Sequence, residues 1–139
     1  MAPYLNFFAH LLMKIRILAN SLRLRLKQPE VQQFARTGNV TEVMEFGPEA
    51  SDCFSYHLEK TSGPDLAVRY ETNTITVLVP HALAEEWTNT ERVGFGEKVD
   101  TGKGRTIDLL VEKDFRCLDG SDDIDTESYP NPLEKHPNC

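Results

Sequence analysis

No stretch of this sequence stays apolar over the roughly 18 residues that a membrane-spanning helix requires, so no transmembrane segment is predicted. Cysteine is scarce, with three residues and no CxxC pair, which excludes a dense disulfide framework. No serine–histidine–aspartate or cysteine–histidine pattern of a nucleophilic enzyme is recognisable. A formal net charge of −7 argues against general binding to nucleic acids and membrane surfaces, because both are polyanions.

The length of 139 residues suits one domain with a core of its own. The opening residues MAPYLNFFAHLL are apolar and aromatic but lack the basic start and the cleavage site of a secretory signal. We interpret residues 1–12 as an extension or disordered tail, with Met13 as a natural start. The alternative is a short helix that docks on the sheet through Leu5, Phe8 and Leu12.

Positive charge is concentrated near the beginning of this otherwise acidic chain. Residues 1–40 carry six Lys or Arg side chains against Glu30 alone. From residue 14 to residue 27, basic and apolar residues alternate, which predicts a hairpin of two strands with one basic and one apolar face. The predicted basic face contains five cations, namely Lys14, Arg16, Arg23, Arg25 and Lys27.

Two short helices and about eight strands are predicted. Pro29 in the first turn and Gly38 beyond the last indicate one helix, and residues 81–89 form the other. The strands are joined by short turns such as Thr72-Asn73, so antiparallel hairpins are expected. The predicted domain, residues 13–115, is therefore α+β, with a curled antiparallel sheet or an open barrel. No internal repeat is evident.

The last segment, residues 116–139, has a different composition. Counted from Asp114, it has seven acidic residues against Arg116 and Lys135, and it contains three prolines. Such a composition is typical of a tail rather than of a packed element. The acidic tail and the basic face could also neutralise each other.

Five like charges on one face of two strands repel one another and require compensation. Neighbouring strands offer acidic partners, which gives a purely structural explanation: Glu42, Glu45, Glu59 and Glu71. The functional explanation is a site for a phosphate-rich or carboxylate ligand, because arginine forks bind such groups in a bidentate manner. An acidic protein surface would be recognised by the same cations.

A catalytic metal site is the alternative. Asp108, Glu112 and Asp114 alternate along one strand and could hold Mg²⁺ together with phosphate oxygens. In outline this resembles the triphosphate-tunnel hydrolases, which would make the protein a metal-assisted phosphohydrolase. Their opening strand, however, carries alternating glutamates before a lysine, and the corresponding positions here are basic or apolar. This departure favours a protein that is not an enzyme.

A zinc or thiol site is a further hypothesis. Cys117, His136 and Cys139, with Cys53 or His57 as a fourth ligand, would complete a tetrahedral zinc site. The spacing lacks the paired-CxxC pattern of common zinc sites. A Cys117–Cys139 disulfide and three free thiols are the other possibilities.

Several segments resemble one family: KIRI, NSLRLRL, VGFGE, LLVEKDFRCL, YPNP and the terminal cysteine. They resemble a family of short, uncharacterised bacterial proteins that forms a domain of unknown function, over residues 13–139. The resemblance implies a bacterial cytosolic protein and carries no activity and no catalytic residues. We therefore expect a small binding module that needs no cofactor and whose basic face meets an acidic ligand or partner. The oligomeric state stays open.

Overall fold

A computed structural model describes residues 12–115, which include the predicted domain. The strands are Lys14–Leu18 (β1), Ser21–Leu26 (β2), Asn39–Glu45 (β3), Cys53–Thr61 (β4), Ala67–Glu71 (β5), Thr74–Pro80 (β6), Gly94–Gly102 (β7) and Arg105–Lys113 (β8). The helices are Gln28–Thr37 (α1) and His81–Asn89 (α2), and a short 3₁₀ turn covers Ala50–Asp52. Neither helix of the described part is long and apolar enough to cross a membrane. The predicted tail and all of the predicted extension except Leu12 lie outside these residues.

The strands form two four-stranded sheets. Sheet A has the order β1-β2-β8-β7, and sheet B has the order β3-β4-β6-β5. The outer pairs of each sheet are antiparallel, whereas the central pairs, β2 with β8 and β4 with β6, are parallel. The predicted α+β class with about eight strands and two short helices is confirmed, and within residues 12–115 the sheets do not close into a barrel.

The two halves of the described chain have the same topology, two strands, a helix and two strands. Each half contributes one hairpin to each sheet. The strand orders of sheet A and sheet B are therefore equivalent when the first half of the chain is exchanged for the second. In sheet A, Leu24 lies opposite Val111. The equivalent pair in sheet B is Val77 opposite Leu58, and all four side chains are buried. The fold thus contains a repeat that is not evident in the sequence.

The two helices meet at the centre of the core. Phe34 and Trp87, each the seventh residue of its helix, contact edge to face with ring centroids 6.0 Å apart. Trp87 also packs against Phe95 of β7 with centroids 5.4 Å apart, and its indole N–H donates to the Val93 carbonyl at 3.0 Å. Trp87 is therefore the residue that anchors both helices and β7 in the core.

Local sequence explains where α1 begins and ends. Pro29 lies in the first turn, and the Glu30 carboxylate accepts the Lys27 backbone N–H at 2.8 Å. Gly38 ends the helix in the left-handed conformation, with φ +80°, and its N–H donates to the Phe34 carbonyl at 2.8 Å. The hairpin between β5 and β6 turns through Thr72 and Asn73, both with positive φ, as predicted.

Candidate functional site

The cations of β1 and β2 lie on the face of sheet A that points away from the core. Lys14 lies opposite Arg25, and Arg16 lies opposite Arg23, while the intervening leucines of β2 are buried. The strict alternation in the sequence produces this arrangement, because successive side chains of a strand point to opposite faces. The surface contains three cross-strand rows: Lys14, Arg25, Glu112 and Gly94; Arg16, Arg23, Leu110 and Gly96; Leu18, Ser21, Asp108 and Lys98. We call these rows the outer face of sheet A.

Glu112 is the main compensating charge on this face. One of its oxygens, Oε2, accepts the Arg23 Nε–H at 2.8 Å and lies 2.5 Å from Arg23 Nη2. Arg25 Nε is 3.3 Å from the same oxygen, which is an ion pair without hydrogen-bond geometry. The parallel register of β2 and β8 places this carboxylate directly beside Arg25. The neutralising acid is thus on β8, and not among the four glutamates that the sequence suggested.

Lys14 and Arg16 differ in their partners. Lys14 Nζ pairs with Asp114 Oδ2 at 3.0 Å, just beyond the end of β8. Arg16 is exposed and makes no side-chain ion pair or hydrogen bond within residues 12–115. Arg16 is therefore the position on this face where an incoming anion would compete least with carboxylates of the described chain for a guanidinium group.

Lys27, the fifth predicted cation, is separated from the other four. It precedes α1 as the N-cap residue, and its backbone N–H donates to Glu30. Lys27 lines a depression of about 950 Å³ between the start of α1 and the end of β8. The structure therefore brings four of the five predicted cations together.

Two glycines of β7 leave part of the outer face without side chains. Gly94 lies opposite Glu112, and Gly96 lies opposite Leu110. A Cβ atom at Gly94 would lie 2.6 Å from the Val111 carbonyl oxygen, and one at Gly96 would also overlap a β8 carbonyl. Both positions therefore exclude larger residues, and a depression of about 640 Å³ lies over them.

The predicted magnesium ligands are placed on the same face, each with a cationic partner. Asp108 pairs with Lys98 at 2.7 Å, and Glu112 and Asp114 take part in the ion pairs described above. Across residues 12–115, no three or more His, Cys, Asp or Glu side chains are grouped so that they could hold a metal ion.

Of the predicted zinc or thiol ligands, only Cys53 and His57 lie in the described part, both on β4. Cys53 is a half-buried free thiol whose Sγ is 3.9 Å from the Glu49 carbonyl oxygen. The His57 Nδ1 is 3.1 Å from the Thr41 hydroxyl. The other three candidates, Cys117, His136 and Cys139, lie outside the described residues.

A partly buried acidic cluster lies between the two sheets, and the sequence analysis did not predict it. Glu42 Oε2 accepts the Met13 N–H at 3.0 Å, and the Tyr56 hydroxyl donates to the Met13 carbonyl at 2.8 Å. Glu30 is 1% exposed, and its second oxygen has no partner in the described chain. Burial raises the pKa of Glu30 and of Glu42, and burial followed by these carboxylates raises the pKa of Tyr56. The sequence contains one indication of this cluster. Glu42 lies two residues after the apolar Val40, so both side chains point to the core side of β3.

Comparison with known families gives one match. A family of unknown function (DUF7009) matches residues 13–133, and the chain belongs to this family. No curated protein and no solved structure matches the chain. The match agrees with the family resemblance inferred from the sequence segments and carries no activity.

Proposed function

We propose that this protein is a small binding module, without enzymatic activity, that recognises an anionic ligand or partner on the outer face of sheet A. One observation carries the proposal: Arg16 is an exposed cation without a partner in the described chain, next to Arg23 in the middle row. Leu110 and Gly96 complete that row with an uncharged surface. A phosphate or carboxylate at Arg16 would therefore meet no competing acid within its row.

The charge of this face supports the same conclusion. Its three rows contain five cations against two carboxylates, while the whole chain has a net charge of −7. Including Asp114, which pairs with Lys14, the face is still positive by two charges. A local positive field on an acidic protein selects compact anions or acidic peptides over nucleic acids, which the remaining surface repels.

We expect the protein to work in the bacterial cytosol. The family resemblance implies this location, and the described cysteine, Cys53, is a free thiol, as is usual in a reducing compartment.

The test is the melting temperature of the full chain at low salt, with and without millimolar tripolyphosphate. A ligand that binds only the folded state stabilises it by about 2.7 kcal/mol at a hundredfold excess over Kd. We expect a rise of several degrees that is abolished in Arg16→Glu and is reduced by salt. The control is Arg69→Glu, because Arg69 is the third residue of β5 as Arg16 is of β1, in the other sheet. No rise in the unmodified chain, or an equal loss in both variants, would contradict the proposal.

A further inference from the structure

Within residues 12–115, strand β1 is an edge of sheet A, because β2 is its only neighbour among the described strands. Leu18 and Ser21 flank the two-residue turn between β1 and β2, so their backbones pair with each other. In an antiparallel ladder the direction of the backbone groups alternates from residue to residue. The N–H and C=O groups of Ile15 and Ile17 therefore point away from β2, out of the sheet edge.

The contacts of Met13 support this assignment. Met13 precedes β1 with the same parity as Ile15 and Ile17, and its N–H and C=O bind Glu42 and Tyr56 of sheet B. At Met13, the start of this edge, the outward backbone groups are thus bound by side chains of sheet B. Further along, Ile17 is 58% exposed, so its outward backbone groups lie at the surface of the molecule.

The side chains along this edge define what can bind to it. Ile17 and Leu18 are exposed large apolar residues on opposite faces. Arg16, which has no ion-pair partner within residues 12–115, precedes them on the same face as Leu18. Proteins normally protect edge strands with charged residues, bulges or a covering element, because an open edge accepts a further strand. An edge with exposed apolar side chains and one cation fits a strand that alternates acidic and apolar residues.

We propose that the β1 edge binds an extended acidic segment of another protein as an added strand of sheet A. The segment hydrogen-bonds to the outward backbone groups of Ile15 and Ile17 and places a carboxylate beside Arg16. This inference rests on the proposed function, since Arg16 belongs to both, and it adds the class of partner and the mode of binding.

The inference is tested by fluorescence anisotropy of the full chain with a labelled peptide of alternating valine and glutamate. The decisive variant is Ile17→Pro, because the N–H that proline removes points away from β2, and edge strands accept proline at such positions. The matched control is Tyr70→Pro, at the fourth position of β5, where Ile17 is the fourth residue of β1. We expect Ile17→Pro to raise the peptide Kd about tenfold or more and Tyr70→Pro to leave it unchanged, with both circular dichroism spectra as in the unmodified chain.

The two proposals fail in different ways. Loss of peptide binding in Ile17→Pro with retained tripolyphosphate binding supports strand addition. Equal peptide binding by Ile17→Pro and the unmodified chain overturns strand addition and leaves anion binding in place. If neither tripolyphosphate nor the peptide binds, both proposals are wrong. A dimer in sedimentation that Ile17→Pro dissociates would make a second copy the occupant of this edge, and would overturn the acidic partner.

Discussion

The backbone N–H of Met13 donates to Glu42 Oε2 at 3.0 Å, and this bond joins the β1 edge of sheet A to the β3 edge of sheet B. The neutral Met13 amide gives the half-buried Glu42 carboxylate one hydrogen bond and no compensating charge. Glu30 is a second carboxylate and is buried, and its pKa is raised first by burial and further by the charge of Glu42. The seam between the sheets therefore contains two carboxylates that are short of positive charge.

The first prediction concerns stability and pH. The folded-state pKa of Glu42 is raised above its usual value of 4.5 because of burial, so its favourable contribution is complete below that value and is lost as the pH rises through the folded-state pKa. Glu42 therefore lowers the free energy of unfolding at pH 7 relative to pH 4, because the fold disfavours its charged form. Glu42→Gln keeps an acceptor for Met13 and removes the charge, and we expect a higher melting temperature at pH 7 but not at pH 4.

The control for this prediction comes from the other half of the chain. Glu97 is the fourth residue of β7, as Glu42 is of β3, but it is exposed. We expect Glu97→Gln to change the melting temperature little at either pH. A lower melting temperature for Glu42→Gln at pH 7 would show that the ionised carboxylate stabilises the seam.

The second prediction replaces the Met13 amide by a charged group. In a chain engineered to begin at Met13, the α-ammonium would take the place of this amide and supply both a charge and additional N–H groups to the carboxylates. We expect such a chain to be more stable than the full chain at pH 7, by about 2 kcal/mol for each hydrogen bond that the ammonium adds to the existing one. Urea denaturation measures the difference, which acetylation of the α-amine or Glu42→Gln should abolish.

The third prediction concerns the contact between the two helices. Trp87→Ala removes the ring that contacts both Phe34 and Phe95, and it removes one of the two N–H groups that the Val93 carbonyl accepts. We expect a loss of about 3–5 kcal/mol in the free energy of unfolding, measured by urea denaturation. Tyr70→Ala, at a side chain that is 63% exposed, should cost less than about 1 kcal/mol. Similar losses in both variants would contradict the central role of the helix contact.

Local features of the fold were predictable from the sequence, and the long-range pairing was not. Alternation fixed the faces of β1 and β2, and the predicted helix at residues 81–89 is α2. Short turns indicated the hairpins because adjacent strands must be antiparallel. The parallel contact between Leu24 and Val111 joins the two ends of the domain, and no local pattern encodes such a contact. The parallel pairs, β2 with β8 and β4 with β6, join a hairpin of one half to a hairpin of the other half in each sheet.

The same limit applies to the candidate site. The sequence placed Arg23 and Arg25 on one face and required a compensating acid, and both statements agree with the structure. It did not identify Glu112, because the register between β2 and β8 decides which acid lies beside these arginines. Nor did it identify Glu30 as buried, since a glutamate in the first turn of a helix is usually solvated.

The last prediction tests whether Glu112 competes with the anionic ligand. Glu112→Gln removes the charge that pairs with Arg23 and Arg25, so both guanidinium groups become available beside Arg16. We expect tripolyphosphate to bind several-fold more tightly in isothermal titration calorimetry, with a steeper dependence on salt.

The matched variant for Glu112→Gln is Asp108→Asn, which frees Lys98 in the row farthest from Lys14 and removes the same formal charge. If general electrostatics alone governed binding, both variants would gain equally. A gain confined to Glu112→Gln locates the ligand at the arginines. A weaker affinity in Glu112→Gln would instead mean that the carboxylate holds the two arginines in the geometry that the anion requires. The prediction that Glu112 competes with the ligand would then be wrong.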